Sequence, residues 1–156
     1  MQLSAQGLDL IKRFEGFRDH AYTDVAGLST IGYGHRIVPP ESFPNGVTEP
    51  QALALLASDV SEVERSVNRL VRVTLTQGQY DALVDFCFNL GAGRLAESTL
   101  LRELNASRYN TAAEQLLLWE HVGGKINLGL KARREADLRL WRSEVQATRT
   151  AASRQG

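Results

Sequence analysis

Residues Phe14 to His35 read FEGFRDHAYTDVAGLSTIGYGH, and the hydrophobic pattern changes its period inside that stretch. Upstream, Leu8, Leu10, Ile11 and Phe14 share one side of a helix and Asp9, Lys12 and Arg13 share the other. Ser4 can cap that helix, with Leu3 and Leu8 placed as a hydrophobic staple, so the pattern predicts a helix ending near Gly16. Glu15 falls inside the apolar arc, between Ile11 and Leu8, the one charged residue there. From Ala21 to His35 the chain is rich in Tyr, Thr, Val, Ile and Gly, centred on Gly27, which predicts a small β-hairpin.

Beyond His35, three prolines (Pro39, Pro40, Pro44) and Gly46 mark a surface connection. Thr48 with Gln51 forms a capping box, with Pro50 tolerated in the first turn. Leu53, Leu56, Val60, Val63, Val67 and Leu70 then repeat at spacings of three and four, a narrow seam that suits a helix joining two lobes. The seam stops after about three heptads, too short to favour a coiled-coil dimer, so a monomer is expected. Thr76 and Gln79 cap a further helix through Tyr80, Leu83, Val84, Phe86, Cys87 and Phe88 to Gly91, apolar on all sides and therefore expected at the centre of the larger lobe. Three more helices are expected near residues 98–104, 111–120 and 130–145, separated by Asn105 to Asn110 and by glycines 123, 124 and 129.

The expected fold class is α+β, mostly α-helical: a single domain spanning 1–156, with a small N-terminal β-hairpin lobe (14–48), the first helix packing on both lobes, a long connecting helix (49–71), a larger helical lobe (72–147) and a flexible tail (148–156). Its 156 residues suffice for one core without disulfides. Lys and Arg total 18 and so do Asp and Glu, which gives no overall steer toward nucleic acid, although residues 125–154 carry eight basic against three acidic side chains. A solvated helix face accounts for that excess, and no stable membrane insertion is expected. Asp9, Lys12, Arg13 and Glu15 interrupt every apolar stretch at the N-terminus, so no cleavable leader or anchor is expected there. Cys87, the single cysteine, reads as a core thiol. His20, His35 and His121 lack metal-ligand spacing, and Gly32 and Gly34 lack a phosphate-binding context, so no metal and no cofactor is expected.

Chemistry concentrates on Glu15, Asp24 and Thr30. In a hairpin centred near Gly27, Asp24 and Thr30 are expected to oppose each other roughly, so that a carboxylate and a hydroxyl bracket a water. Packing of the hairpin against the end of the first helix would place that water between two carboxyl groups in different surroundings. An inverting glycosidase needs this pair: one carboxyl protonated to donate to the leaving oxygen, a second ionised to activate water. Glu15, among Leu8, Ile11 and Phe14, is expected to be neutralised by desolvation, and Asp24, in a turn, to stay charged. The alternate glycines of Thr30-Ile31-Gly32-Tyr33-Gly34-His35 permit close backbone approach.

Phe14-Glu15-Gly16, Tyr22-Thr23-Asp24, Gly27 and the Thr30 to His35 run, with nine positions from Glu15 to Asp24 and six from Asp24 to Thr30, resemble the catalytic signature of the phage-type lysozymes, glycoside hydrolase family 24. The resemblance continues through Tyr80 to Val84, Phe88 to Gly91, Ser98 to Leu101, Gly129-Leu130 and Arg133-Arg134-Glu135. It implies a lysozyme-like fold and, in a cleft between two lobes, hydrolysis of the β-1,4 bond between N-acetylmuramic acid and N-acetylglucosamine in peptidoglycan. By position, Glu15 matches the family's acid and Asp24 with Thr30 the pair at the attacking water. His35 matches a histidine supporting the acid's surroundings, a role in which a purely structural histidine is an equal reading. Phe88 and Asn89 match the far, substrate-binding wall. The family also sets an arginine against the acid, and Lys131, Arg133 and Arg134 compete for that place. The biology implied is an endolysin made in a host bacterium's cytoplasm and released to the periplasmic peptidoglycan by a separate membrane-permeabilising protein. Two other functions compete: an inactive peptidoglycan-binding or scaffold module, and a lytic transglycosylase, which would not need Asp24 or Thr30.

Overall fold

The computed structural model describes residues 1–153, with side chains described through Ser143. Helix α1 (Ala5–Glu15) opens where the Ser4 hydroxyl accepts from the Gly7 amide, and Lys12 and Arg13 complement the dipole of its last turn. It stops at Gly16, whose φ of 67° releases the chain into β1 (Arg18–Thr23).

In place of the expected two-stranded hairpin, a three-stranded antiparallel sheet forms: β1, β2 (Ser29–Gly32) and β3 (His35–Arg36), in that order. The extra strand exists because Tyr33 and Gly34 make a tight turn that folds His35 back onto Ile31. Ile31 is completely buried, and a β-carbon on Gly32 would stand 3.1 Å from that of Ala52, so the sheet sits directly on the next helix.

That helix, α2 (Glu49–Leu70), begins with the anticipated Thr48–Gln51 capping box. Leu56, Val60 and Val67 of its seam are buried, while Leu53, Val63 and Leu70 pack alongside them. It touches β2 and β3 as well as α3 (Gln77–Leu90) and α4 (Ala92–Glu97). Helix α3 is buried from Gly78 to Cys87 and forms the axis of the helical body, as its all-round apolar pattern predicted.

Helices α5 (Thr99–Asn105) and α6 (Tyr109–Leu116) follow, close to their expected positions. Two further elements were not anticipated. The short α4 turns on Gly91, at φ 93°, and is anchored by the buried Leu95. The hairpin of β4 (His121–Val122) and β5 (Lys125–Ile126) uses Gly123 and Gly124, both at positive φ, as its two-residue turn. Helix α7 (Leu128–Ser153) packs along α3 and continues past Val145, where the apolar pattern stops. The expectation of a flexible tail over 148–156 lies outside the residues whose side chains are described. Among the described residues no helix is long and apolar enough to cross a membrane.

Candidate active site

Glu15 is the last residue of α1, and its side chain, 18% exposed, reaches both the sheet and α7. Arg133, on α7, donates from Nη1 to Glu15 Oε1 at 2.7 Å, which selects it from the three basic candidates. Lys131 is exposed, and Arg134, fully buried, turns instead toward Asp85 and Asp137. The apolar surroundings expected for Glu15 are therefore only part of its environment: a guanidinium completes them.

The Arg133 fork is divided between two acids. Its Nε donates to Asp85 Oδ2 at 2.9 Å and its Nη2 to Asp85 Oδ1 at 2.8 Å, a bidentate pair that leaves Nη1 for Glu15. The Phe14 ring lies 5.6 Å from the same guanidinium. Burial opposes the charge on Arg133, but the hydrogen bonds and charges of Asp85 and Glu15 outweigh it and raise its pKa. Burial likewise opposes ionisation of Asp85, and Arg133 overcomes it, holding that carboxyl below the usual carboxylate range. Beyond them Arg134 contacts Asp85 at 3.3 Å and Asp137 at 2.9 Å. Burial, then the charge of Asp85, pushes Asp137 well above the usual range.

Glu15 Oε2 has no hydrogen-bond partner among the described residues. It lies against Gly34, where a β-carbon would stand 2.5 Å away. The close approach expected of the alternate glycines is thus made by Glu15 at Gly34 and by Ala52 at Gly32.

Across the sheet, Thr30 pairs with Tyr22, not with Asp24 as expected. Asp24 instead exchanges with Leu28, its amide donating to that carbonyl at 2.9 Å. The expected opposition fails because the loop closes on Leu28, but the register still leaves Asp24 and Thr30 as diagonal neighbours on one face. Asp24 Oδ1 accepts from the amides of Ala26 and Leu28 at 2.9 and 2.8 Å, and the carboxylate's second oxygen takes no part in the turn. Thr30 is 4% exposed, and its hydroxyl donates to the Leu28 carbonyl at 3.1 Å, which leaves its lone pairs to accept. Tyr22 lies in the field of both acids: burial, then the charge of Glu15, raises its phenol, the Arg18 guanidinium opposes this, and Asp24 adds to it.

Neither ring nitrogen of His35 bonds to Glu15. Its Nδ1 meets Asp59 of α2 and its Nε2 meets Glu41, each at 2.8 Å. It shares an open pocket of about 440 Å³ with Gly34, Asp59 and Phe88. Phe88 is partly buried against the core, and the buried Oδ1 of neighbouring Asn89 has no hydrogen-bond partner among the described residues.

Asp85, Asp59 and Glu41 escaped the sequence reading. Asp59 and Glu41 are ordinary polar residues of a helix face and a loop, and nothing local marks them. Asp85 did carry a signal: a charged residue within a helix apolar on every side must be buried, and a buried carboxylate needs a cation.

A family model described as Phage lysozyme matches residues 12–137. The endolysin of Bacillus phage B103 is 43% identical over 144 residues, covering 90% of this chain, which spans about half (54%) of that protein's length. The endolysin of Salmonella phage P22 is 42% identical over 137 residues, covering 86% of this chain and 94% of that protein. The solved structure of an endolysin from Escherichia coli O157:H7 phage FAHEc1 superposes with a TM-score of 0.80 at 37% identity, covering 90% of this chain and 93% of that one.

Proposed function

This chain belongs to the phage lysozyme family, and from that premise we propose that it is a muramidase in which Glu15 is the general acid and Asp24 with Thr30 activates the attacking water. Its substrate is the β-1,4 bond between N-acetylmuramic acid and N-acetylglucosamine of bacterial peptidoglycan. One observation carries the reading. With Glu15 Oε1 engaged by Arg133, a proton on the neutral carboxyl resides on Oε2, the oxygen beside Gly34 that is free to deliver it.

Protonation of the glycosidic oxygen by Oε2 lets the bond to the anomeric carbon break as positive charge develops on the sugar ring. Asp24 Oδ1 belongs to the turn, so its other oxygen takes a proton from the water, and the Thr30 hydroxyl, already donating to Leu28, accepts the water's second hydrogen bond. That arrangement aims the water's lone pair at the anomeric carbon. As the bond breaks, Glu15 becomes an anion, and Arg133 is already placed to receive its charge. Strands bind between the sheet and the helical body, with Phe88 and Asn89 on the far wall. The protein works as a monomer, made in the host cytoplasm and released to the peptidoglycan by a separate membrane-permeabilising protein.

Digestion of isolated peptidoglycan by the purified protein and by Glu15→Gln, followed by mass spectrometry, tests this. Reducing ends carrying one added water, absent with Glu15→Gln, are expected. Anhydro-sugar ends would assign a transglycosylase, and no products a binding module.

A further inference from the structure

We propose that Asp85 is a positioning residue for the acid: by gripping two of the three nitrogens of Arg133 it aims the third at Glu15 and neutralises the arginine's charge there. The inference rests on the reading of Glu15 as general acid.

A general acid beside an arginine faces a conflict, because an unopposed guanidinium holds a carboxyl in its ionised form and prevents it from donating. The buried network resolves that conflict geometrically. Asp85, wholly buried on α3, binds the Nε and Nη2 edge of Arg133 at 2.9 and 2.8 Å, so the guanidinium can neither swing nor offer Glu15 a second hydrogen bond. Nη1 alone remains, 2.7 Å from Oε1. The other groups around these residues are accounted for. Asp85 meets Arg133, Arg134 and Asp137 from α7, while Glu15 meets Arg133 and shares the field around Tyr22 with Arg18 and Asp24. Arg133 therefore leans principally on Asp85, and Glu15 receives what attraction is left.

The sign follows. Asp85→Asn preserves the side-chain shape and removes the balancing negative charge, so Glu15 faces a fuller positive charge and ionises at lower pH. We expect the midpoint of the Glu15 carboxyl, followed by carbon-13 NMR and assigned with Glu15→Gln, to fall. The alkaline limb of kcat/KM should move the same way, while KM changes little. Asp85→Glu should restore most of the limb, and in an Arg133→Gln background Asp85→Asn should barely move the midpoint. A purely structural Asp85 would lower activity equally at every pH, and an unmoved or rising midpoint in Asp85→Asn overturns the proposal. If that variant does not fold, Arg133→Lys serves. A point charge cannot span both acids and stays with the more buried Asp85, so the Glu15 midpoint should rise, and an unchanged value is equally fatal. Because NMR reads ionisation directly, the proposal can fail while Glu15→Gln is inactive, or hold while Glu15→Gln remains active, so the two readings fail separately.

Discussion

Gly34 and Glu15 occupy adjoining space with no room for a methyl group between them: a β-carbon on Gly34 would stand 2.5 Å from Glu15 Oε2 and 2.8 Å from Cδ. The glycine's φ of 73° also lies in the left-handed region that L side chains resist. Backbone conformation and side-chain clearance therefore impose the same residue, and the oxygen they protect is the one assigned to donate the proton. The tight turn from β2 to β3 is the wall against which the acid is set.

Gly34→Ala should accordingly harm chemistry more than folding. The left-handed conformation costs about 1–3 kcal/mol of stability, whereas displacing the carboxyl by a fraction of its contact distance should lower turnover by about 10²-fold. Gly91→Ala is the control, because it too places a side chain at positive φ, 93°, but with nothing within 4 Å of the added carbon. Both variants should lose thermal stability, and only Gly34→Ala should lose turnover per folded molecule on isolated peptidoglycan. Equal losses of turnover would remove the steric reading.

Asp24 has two duties, and one substitution separates them. Its Oδ1 holds the loop through the amides of Ala26 and Leu28, which the amide oxygen of asparagine can also do. Asp24→Asn should keep stability within about 1 kcal/mol of the parent, yet lower turnover by about 10²–10⁴-fold, the usual contribution of a general base. Asp24→Ala should lose both. Near-normal hydrolysis by Asp24→Asn would reduce this residue to a turn former.

Much of this architecture was legible in local pattern. The capping residues Ser4, Thr48 and Thr76 begin their helices as read, and the long seam of α2 faces the core. What escaped was set by tertiary contact. Strand β3 is only two residues long and owes its pairing to the turn at Gly34, and α4 is a six-residue turn anchored by Leu95. Within the site, Glu15, Asp24 and Thr30 lie close in sequence, so their spacing could be read. Arg133 lies 118 positions from Glu15, and its separation from Lys131 and Arg134 by one or two positions is decided only when α7 docks on α3. The opposition of Asp24 and Thr30 failed for a smaller reason, a loop that closes two residues from where symmetry about Gly27 suggested.

Cys87 should be chemically silent in the native protein. Burial pushes its thiol up to about 12, so almost no thiolate exists at neutral pH, and the residue is 2% exposed. A thiol reagent should modify the folded protein only as fast as the core opens, with labelling rising steeply in denaturant. Stoichiometric modification of native protein at the rate of a free thiol would show that α3 is accessible.

His35 should make stability depend on pH in a definite direction. Burial disfavours its charge, but hydrogen bonds to Glu41 and Asp59, together with their charges, outweigh this and raise its pKa above the ordinary 6.5. With both ring nitrogens facing carboxylates at 2.8 Å, the imidazolium satisfies the two contacts at once, whereas the neutral ring can donate to only one. A pKa higher in the folded chain than in the unfolded chain means that the folded state binds the proton more tightly. The stabilisation is therefore fully present below the unfolded value and is lost as pH rises through the folded one. His35→Gln removes that linkage, at a cost of about 1.5–3 kcal/mol if one charged hydrogen bond carries most of it. Melting temperatures of the parent and of His35→Gln, taken from just above the carboxylate range to pH 9 or so, should differ most at the acidic end and converge as the imidazolium deprotonates. A constant gap across that range would mean that His35 acts by packing against Phe43, whose ring it meets edge-on at 6.2 Å, and not through its charge.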